Sequence, residues 1–429
     1  MPSASSGTHM SEAAAAPAAQ AAAPAARLAW LDALRGFAAL CVVFDHGSGL
    51  LLQQARSLLY HWFDFGQYGV FVFFLVSGYI VPASLERKGS VKSFWVSRAF
   101  RLYPMYLLAL VLSAIAWKTH HGTIRGAEHS PGTSAASWLL MLPNVLTGPN
   151  VPNVAWTLSY EMGFYLLLAA LFSWRVHRHS GVYAIAFAVA ACALGGILPM
   201  ALLQHWGHHG GPSPLTVDVT ADVLILAGIA LAMTRTNLPS KIGALVAALT
   251  GLTLLTLNQG YPYPWSGLTI LAMMFTGTLL YRAEQGQVGK LTAAWTAGGV
   301  LALAVLAGLW HASRFTFLGP QWRAQWVTSI VLAGATFAVG LAVRNRKIPR
   351  LAAWLGLISY SVYLLHPLVF NAYRSLPVYH SHPGVANQIL LAATLVTVII
   401  AASAVTYYLV EKPMQRLGRQ VARWPRRTG

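Results

Sequence analysis

The sequence predicts an all-α polytopic membrane protein, a bundle of about 10–12 transmembrane helices with both termini in the cytoplasm. Of its 429 residues, 56% are hydrophobic and only 9% are charged, whereas soluble domains carry about 25% charged residues. Two of the apolar runs, 219–234 and 242–257, are short, so the number of spans stays between ten and twelve. The runs fall near residues 31–51, 68–85, 102–117, 154–173, 181–203, 219–234, 242–257, 265–281, 292–310, 326–343, 354–373 and 388–410.

The positions of the basic residues predict the orientation. The formal net charge of +18 does not indicate a nucleic-acid partner, because the 29 Lys and Arg residues lie mostly in short loops between apolar runs. With a cytoplasmic N-terminus, 22 of them fall on the inside, six on the outside, and Arg35 lies within a run. This is the positive-inside pattern of multi-pass proteins. We expect a protein of the bacterial plasma (cytoplasmic) membrane, with the lipid bilayer as a partner.

Three regions are predicted. Residues 1–26 are rich in Ala and Pro and predict a disordered cytoplasmic tail. Residues 27–413 form the transmembrane domain, and residues 414–429 form a basic cytoplasmic tail. The loop histidines at 205, 208 and 209 match no common metal-site spacing, so we predict no metal site.

The first apolar run carries four ionisable residues, Asp32, Arg35, Asp45 and His46. Such groups are costly in a bilayer, at about 2.5–3.5 kcal/mol each on insertion scales. Arg35 and His46 are eleven positions apart, which places them on one helix face and about 16 Å apart. Two interpretations remain open: a functional pair, or an arginine that reaches the headgroups and a hydrogen-bonded core histidine.

Two further patterns precede the third span. Ser77 and Gly78 interrupt an aromatic-rich run, where small residues allow close helix packing. Arg98 and Arg101 lie three positions apart, hence on one face, at the predicted cytoplasmic boundary. A guanidinium pair suits phosphate groups, although attraction to anionic lipid headgroups explains most arginines at such positions.

Further residues of interest lie in or beside the later apolar runs. Glu161 lies in the outer half of its run, one turn from Tyr165, and must be protonated, paired or solvated there. In 356–370 we favour interhelical hydrogen bonding for the polar side, which consists of Ser359, Tyr360, Ser361, Tyr363 and His366. Tyr261, beside a span end, is interpreted as part of the interfacial aromatic belt. Glu411 and Pro413 are interpreted as the terminator of the last helix.

These segments together resemble acyltransferase family 3, a family of membrane O-acyltransferases that modify sugars, glycans and some antibiotics. The ordered set is LDALRGFAALCVVFDH, VFFLVSGYI, FWVSRAFRLYPMY, WTLSYEMGFYLLL, ISYSVYLLHP and YYLVEKP. The resemblance covers 30–106, 156–168 and 356–413. It implies transfer of an acyl group, often acetyl, from cytoplasmic acyl-CoA to a hydroxyl across the membrane. The acceptor would be a carbohydrate, glycolipid or glycosylated metabolite, and no cofactor would be permanently bound.

The resemblance also implies roles for matching residues. Arg35, Arg98 and Arg101 would bind the phosphates of acyl-CoA, and His46 would deprotonate the acceptor hydroxyl. An acyl-histidine relay on His46 is the open alternative within this mechanism.

Asp45 or Glu161 would orient and charge-stabilise that histidine. Trp156, Tyr165 and Ser77 would contact the substrate.

Two other interpretations remain open. Intramembrane Asp, Glu, Arg and His would also suit a transporter or flippase of a polar or lipid-linked sugar. Against this, the ionisable groups crowd the first four spans and no repeated halves are visible. The second is a non-catalytic relative of the family.

Overall fold

A computed structural model describes residues 29–119, 131–203, 210–234, 237–312, 319, 321–377 and 384–423. The predicted tail 1–26 and the histidines at 205, 208 and 209 lie outside these residues. In the described part every regular element is helical. The helices are α1 Ala29–Leu51, α2 Gln53–Tyr60, α3 Phe65–Lys88, α4 Val91–Lys118, α5 Pro131–Leu139, α6 Trp156–Ser173, α7 Ser180–Leu194, α8 Pro214–Ala232, α9 Asn237–Leu257, α10 Pro264–Glu284, α11 Lys290–Ala312, α12 Gln321–Ala342, α13 Arg350–Arg374, α14 Val385–Thr406 and α15 Lys412–Arg423.

The twelve predicted apolar runs coincide with twelve of these helices. Within the described residues, nine are long and apolar enough to cross a membrane: α1, α3, α4, α8, α9, α11, α12, α13 and α14 with its continuation. The other three runs form α6, α7 and α10. The prediction of an all-α polytopic membrane protein is confirmed. Below, the inner side is the end at which α1 begins, which the positive-inside pattern predicts to be cytoplasmic, and the outer side is the opposite end.

Helix α10 lies at the centre of the bundle and crosses α3 at very short range. A Cβ atom added to Gly78 of α3 would meet the backbone of Met274, and one added to Gly277 of α10 would meet the backbone of Leu75. The hydroxyl of Thr278 donates to the carbonyl of Gly78 at 2.8 Å. The packing interpretation of Gly78 is therefore correct, because only glycine lets the two backbones approach so closely.

A second close crossing joins α1 to α13. A Cβ atom added to Gly36 would lie 2.8 Å from the backbone nitrogen of Gly356, and one added to Gly356 would meet the backbone of Asp32. The crossing sets the polar residues of α1 against those of α13, and these two helices carry much of the candidate site.

The end of the last span corrects one prediction. Glu411 and Pro413 do not end the helix: Tyr407–Glu411 forms one π-helical turn, and the chain continues as α15 to Arg423. A π-turn inserts extra backbone into a turn and rotates the residues that follow. Here it brings Glu411 to the bundle interior, where only 2% of the residue is exposed.

Candidate active site

Two cavities follow one another across the bundle. The inner cavity, with an empty volume of about 720 Å³, contains Arg35, Ser77, Arg98, Arg101 and Glu161 in its lining. The outer cavity, with an empty volume of about 960 Å³, contains Asp45, His46 and Trp156.

Both cavities share two lining residues, Val70 and Tyr363. Eight of the nine predicted site residues are thus divided between two adjacent cavities, and the ninth, Tyr165, contacts Glu161 and Arg98 of the inner cavity.

Positive charge dominates the inner cavity. The guanidinium of Arg98 lies over the rings of Phe94 and Tyr165, 5.4 Å and 5.3 Å from their centroids, and the residue is only 6% exposed. Arg35 approaches Asp32 at 3.9 Å, too long for a direct hydrogen bond. Three guanidinium groups therefore reach this cavity, and one carboxylate, Glu161, is part of its lining.

Glu161 is held by its own helix. The hydroxyl of Tyr165, one turn further along α6, donates to the Glu161 carboxylate. Tyr165 is fully buried and does not line the cavity, so its position is that of a support for Glu161. Arg35 and Arg101 lie within electrostatic range of the same carboxylate.

A second carboxylate, Glu411, approaches these arginines from the last helix. Its oxygens accept from the hydroxyl of Ser361 at 3.0 Å and from the side-chain amide of Gln415 at 2.9 Å. The charge of Glu411 acts on both Arg101 and Arg35. Sequence reasoning assigned Glu411 to a helix end, because the π-turn that buries it depends on tertiary packing.

A backbone hydrogen bond determines which ring nitrogen of a neutral His46 carries the proton. Its Nδ1 donates to the carbonyl of Val42, one turn earlier, at 2.9 Å. The lone pair of a neutral imidazole is then on Nε2, which is the arrangement of a general base. The hydrogen-bond acceptor for Nδ1 is thus the Val42 carbonyl, while Asp45 lies within electrostatic range of the His46 ring. The predicted role of Asp45 or Glu161 in orienting and charge-stabilising His46 stays a prediction.

Asp45 instead belongs to an acidic pair in the outer cavity. A Cβ atom added to Gly66 would lie 2.9 Å from an Asp45 oxygen and 3.3 Å from an Asp64 oxygen, so the two carboxylates face the same point. Arg56 approaches Asp45 at 3.8 Å. The outer cavity therefore holds two carboxylates beside one guanidinium.

The sequence does not indicate Asp64 as a site residue, because it directly precedes an apolar run and is typical of the start of a helix. It is indeed the N-cap of α3, and its side chain accepts from the backbone N–H of Gln67 at 2.8 Å. The hydroxyl of Tyr60 donates to its other oxygen at 3.3 Å. Burial raises the pKa of the Asp64 carboxyl, and these two hydrogen bonds oppose that rise.

Aromatic rings form the walls of the outer cavity. Trp156 and Tyr261 meet edge to face, with centroids 5.3 Å apart, and both line the cavity. The sequence predicts Tyr261 to be part of the interfacial aromatic belt. In the structure it lies in the cavity wall, because the loop before α10 packs against the start of α6. Burial raises its pKa to about 12, so it remains a neutral hydrogen-bond donor.

The polar residues of α13 have two different kinds of environment. Interhelical hydrogen bonding, as predicted, accounts for Tyr360, which donates to the carbonyl of Leu102 at 3.0 Å, and for Ser361. His366 has a different environment, because its ring lies against that of His46, with centroids 5.0 Å apart. Its Nδ1 donates to the Val362 carbonyl at 3.2 Å, and its buried Nε2 has no partner among the described residues.

Comparison with known proteins identifies the family of the chain. The family model described as an acyltransferase domain (Acyl_transf_3) matches residues 28–221 and 223–408. The chain belongs to acyltransferase family 3. The resemblance inferred from the ordered motifs is confirmed.

Three named relatives are similar to this member of acyltransferase family 3. The acyltransferase MdmB of Streptomyces mycarofaciens is 35% identical over 33% of this chain and 38% of its own length. Nodulation protein 10 of Rhizobium leguminosarum bv. viciae is 31% identical over 44% of this chain and 54% of its own. YrhL of Bacillus subtilis (strain 168), named as a peptidoglycan O-acetyltransferase, is 25% identical over 90% of this chain and 55% of its own. The chain thus spans about half or less of each relative, and no solved structure matches it.

Arg35 and His46, which are eleven positions apart in the sequence, have a defined geometry on α1. Arg35 lines the inner cavity and His46 the outer one, on a single helix. Eleven residues of α-helix separate them by about 16 Å.

Among the described residues, no group of three His, Cys, Asp or Glu side chains could hold a metal ion.

Proposed function

We propose that this protein transfers an acyl group, acetyl in the first instance, from acyl-CoA on the inner side to a hydroxyl of a carbohydrate or glycoconjugate on the outer side. The observation that carries the proposal is the contact of two chemically different cavities at Val70 and Tyr363. Membership of acyltransferase family 3 supports acyl transfer, and the name of YrhL supports a glycan hydroxyl as its destination.

The inner cavity suits an acyl-CoA donor. Arg35, Arg98 and Arg101 offer guanidinium groups to the anionic end of the donor. Phe73, Phe74, Ile80, Leu102 and Leu158 supply apolar walls for an acyl chain and the arm that carries it. A thioester carbonyl at the outer end of this cavity would lie beside Val70 and Tyr363, where the outer cavity begins.

The outer cavity suits a polyhydroxylated acceptor. Its two carboxylates, Asp45 and Asp64, accept hydrogen bonds from hydroxyl groups. The ring of Trp156 gives an apolar face against which a sugar ring can pack. His46 Nε2 is free to take a proton from one hydroxyl of such an acceptor.

The proposed step uses His46 as general base. His46 Nε2 accepts the proton of the acceptor hydroxyl while the oxygen forms a bond to the thioester carbonyl carbon. The tetrahedral intermediate collapses with cleavage of the C–S bond, and CoA leaves as a thiolate. The imidazolium then returns the proton to that thiolate, giving an ester and free CoA.

A two-sided assay tests the proposal. Purified protein in proteoliposomes receives labelled acetyl-CoA on one side and peptidoglycan fragments, then other oligosaccharides, on the other. We expect free CoA thiol and acetylated acceptor to appear together, with the donor on the side where α1 begins. Movement of the sugar without thioester cleavage would instead assign the protein as a transporter.

A further inference from the structure

A large basic cleft opens on the inner side, separate from both cavities. It has an empty volume of about 2260 Å³ and lies between the first turn of α4, the α6–α7 connection, the end of α8 and the start of α9. Four cationic side chains line it: Lys92, Arg175, Arg178 and Lys241. The polar lining is completed by Ser90, Ser93, Ser173, His177, Thr234, Asn237 and Ser240, and the His177 imidazole lies 3.8 Å from the carboxylate of Glu86.

The four cations of the basic cleft lack carboxylate partners within the described chain. No Asp or Glu lines the cleft, and none of the four forms an ion pair there. Two other inner-side arginines are paired: Arg282 with Glu86 at 2.6 Å and Arg344 with Glu284 at 3.1 Å. The positive-inside pattern explains cations on this side, but it does not explain why four of them share one concave surface without counter-charge.

Arg175 stands where glycine is the usual residue. Helix α6 ends with the N–H of Val176 donating to the carbonyl of Leu171 at 2.9 Å and the N–H of Arg175 donating to that of Phe172 at 3.0 Å. This bonding pattern places Arg175 in the left-handed region, with φ of +61°. Because a side chain is disfavoured there, the arginine costs stability that a glycine would not.

The start of α4 adds to the field in the basic cleft. Gly89, Ser90, Val91, Lys92 and Ser93 all line it, so the N-terminus of this 28-residue helix opens into the cleft. Ser90 Oγ accepts from the N–H of Ser93 at 3.3 Å. The other N–H groups of the first turn lack intrahelical acceptors, and the helix dipole favours an anion in front of them.

We propose that the basic cleft binds a phosphate-bearing ligand with more than one anionic charge. Two sources share this chemistry: the headgroup of an anionic phospholipid in the adjoining leaflet, and the phosphates of a nucleotide such as the end of CoA. The site stands on its own geometry, and only the nucleotide source rests on the proposed function. For a nucleotide the path is short, because Lys92 precedes Arg98 of the inner cavity by six residues, about 9 Å along α4.

Direct binding measurements test the basic cleft without requiring catalysis. In one arm, protein in phosphatidylcholine nanodiscs is titrated with adenosine 3′,5′-bisphosphate, with adenosine as the reference. In the other arm, native mass spectrometry compares binding of cardiolipin and phosphatidylglycerol with binding of phosphatidylcholine.

The variants are Arg175→Gly, Arg178→Gln, Lys241→Gln and their combination. Arg346→Gln, an exposed inner-side arginine outside the cleft, is the matched control.

We expect one of the two ligand classes to bind more tightly than its phosphate-free or uncharged reference. Each cleft variant should weaken that binding about fivefold, the effect of one basic residue at an anionic surface, and Arg346→Gln should not. Arg175→Gly should weaken binding and at the same time raise the unfolding temperature, a combination that a merely structural arginine does not produce.

The ligand class that responds identifies the source. If neither class exceeds its reference, or if the combined variant binds as the unmodified protein does, the phosphate site is wrong. Absence of acetyl transfer with phosphate binding intact would contradict the proposed function and leave the basic cleft standing.

Discussion

The imidazole rings of His46 and His366 meet at an interplanar angle of 61°, with their centroids 5.0 Å apart. They belong to α1 and α13, and each donates through Nδ1 to a carbonyl of its own helix. Only His46 lines the outer cavity, whereas His366 is fully buried behind it. The pair therefore consists of one imidazole open to a substrate and a second that packs against it.

The position of His366 predicts a packing role that a ring of similar size can fill. An edge-to-face aromatic contact contributes about 0.5–1.5 kcal/mol, so we expect His366→Ala to lower kcat about two- to tenfold by loosening His46. His366→Phe should retain most of the activity, measured with saturating acetyl-CoA and a fixed acceptor. An inactive His366→Phe protein that is correctly folded would assign proton transfer to His366 instead.

Replacement of His46 should remove general-base catalysis. We expect His46→Ala to lower kcat by a factor of about 10²–10⁴, the contribution of a positioned base, with little change in the donor affinity of the inner cavity. His179→Ala, at an exposed histidine outside both cavities, is the control. Retention of kcat by a folded, inserted His46→Ala protein would exclude the assignment.

The same residue allows a test of the acyl-histidine relay. Incubation with labelled acetyl-CoA in the absence of acceptor, followed by rapid denaturation and mass spectrometry of peptides, would detect an acetyl group on His46. Direct transfer predicts no such adduct, because the thioester then reacts only with the acceptor oxygen. A kinetically competent acetyl-His46 would replace the direct step by two successive transfers.

The burial of Glu411 predicts an effect on stability. Glu411→Gln removes an anion that acts on Arg101 and Arg35, and buried guanidinium groups are costly without compensation. We expect a loss of about 1–3 kcal/mol, the range for a buried polar group deprived of its partner, measured by thermal unfolding in detergent. Glu284→Gln removes the partner of Arg344, a guanidinium whose side chain is 28% exposed and can be solvated, and should cost less. Equal losses of stability in the two variants would show that the charge of Glu411 does not compensate those of Arg101 and Arg35.

The crossing of α3 and α10 predicts an intolerance of any side chain at Gly78. Gly78→Ala would place a methyl group against the backbone of Met274, so the helices must separate and the protein should lose folded yield. Gly298→Ala on α11 is the matched control, because no described atom outside the adjacent backbone of α11 lies within 4 Å of its added Cβ. Alanine there should stabilise the helix by about 0.5–1 kcal/mol. Normal folding of Gly78→Ala would contradict the close crossing.

The raised pKa of Asp64 predicts a pH dependence with a defined sign. A carboxyl whose pKa is higher in the folded state binds its proton more tightly there, so its ionisation destabilises the fold as pH rises above the unfolded value of about 3.9. Asp64→Asn keeps an N-cap acceptor for Gln67 and removes this ionisation. We expect the variant to be the more stable at neutral pH, and the difference in unfolding temperature to shrink as pH falls. If the variant were less stable than the unmodified protein at neutral pH, ionisation of Asp64 would stabilise the fold, contrary to this prediction.

Several features of the protein follow from the sequence without the structure. The apolar runs locate the helices, because each run reports a local property of about 20 consecutive residues. The scarcity of ionisable groups in those runs singled out Arg35, His46 and Glu161, and the spacing of two arginines before the third span singled out Arg98 and Arg101. His46 lines the outer cavity, and the other four line the inner cavity. The ordered motifs sufficed to recognise acyltransferase family 3.

Other features depend on which helices meet, and no local pattern encodes that. The separation of Arg35 and His46 into two chambers requires Val70 and Tyr363 from two other helices. The approach of His366 to His46 follows from the α1–α13 crossing, and the burial of Glu411 follows from a π-turn stabilised by packing. The sequence by itself determined where the helices lie and which rare polar residues they carry. Only the tertiary structure decided which of these residues share a cavity, because side chains distant along the chain become neighbours through helix packing alone.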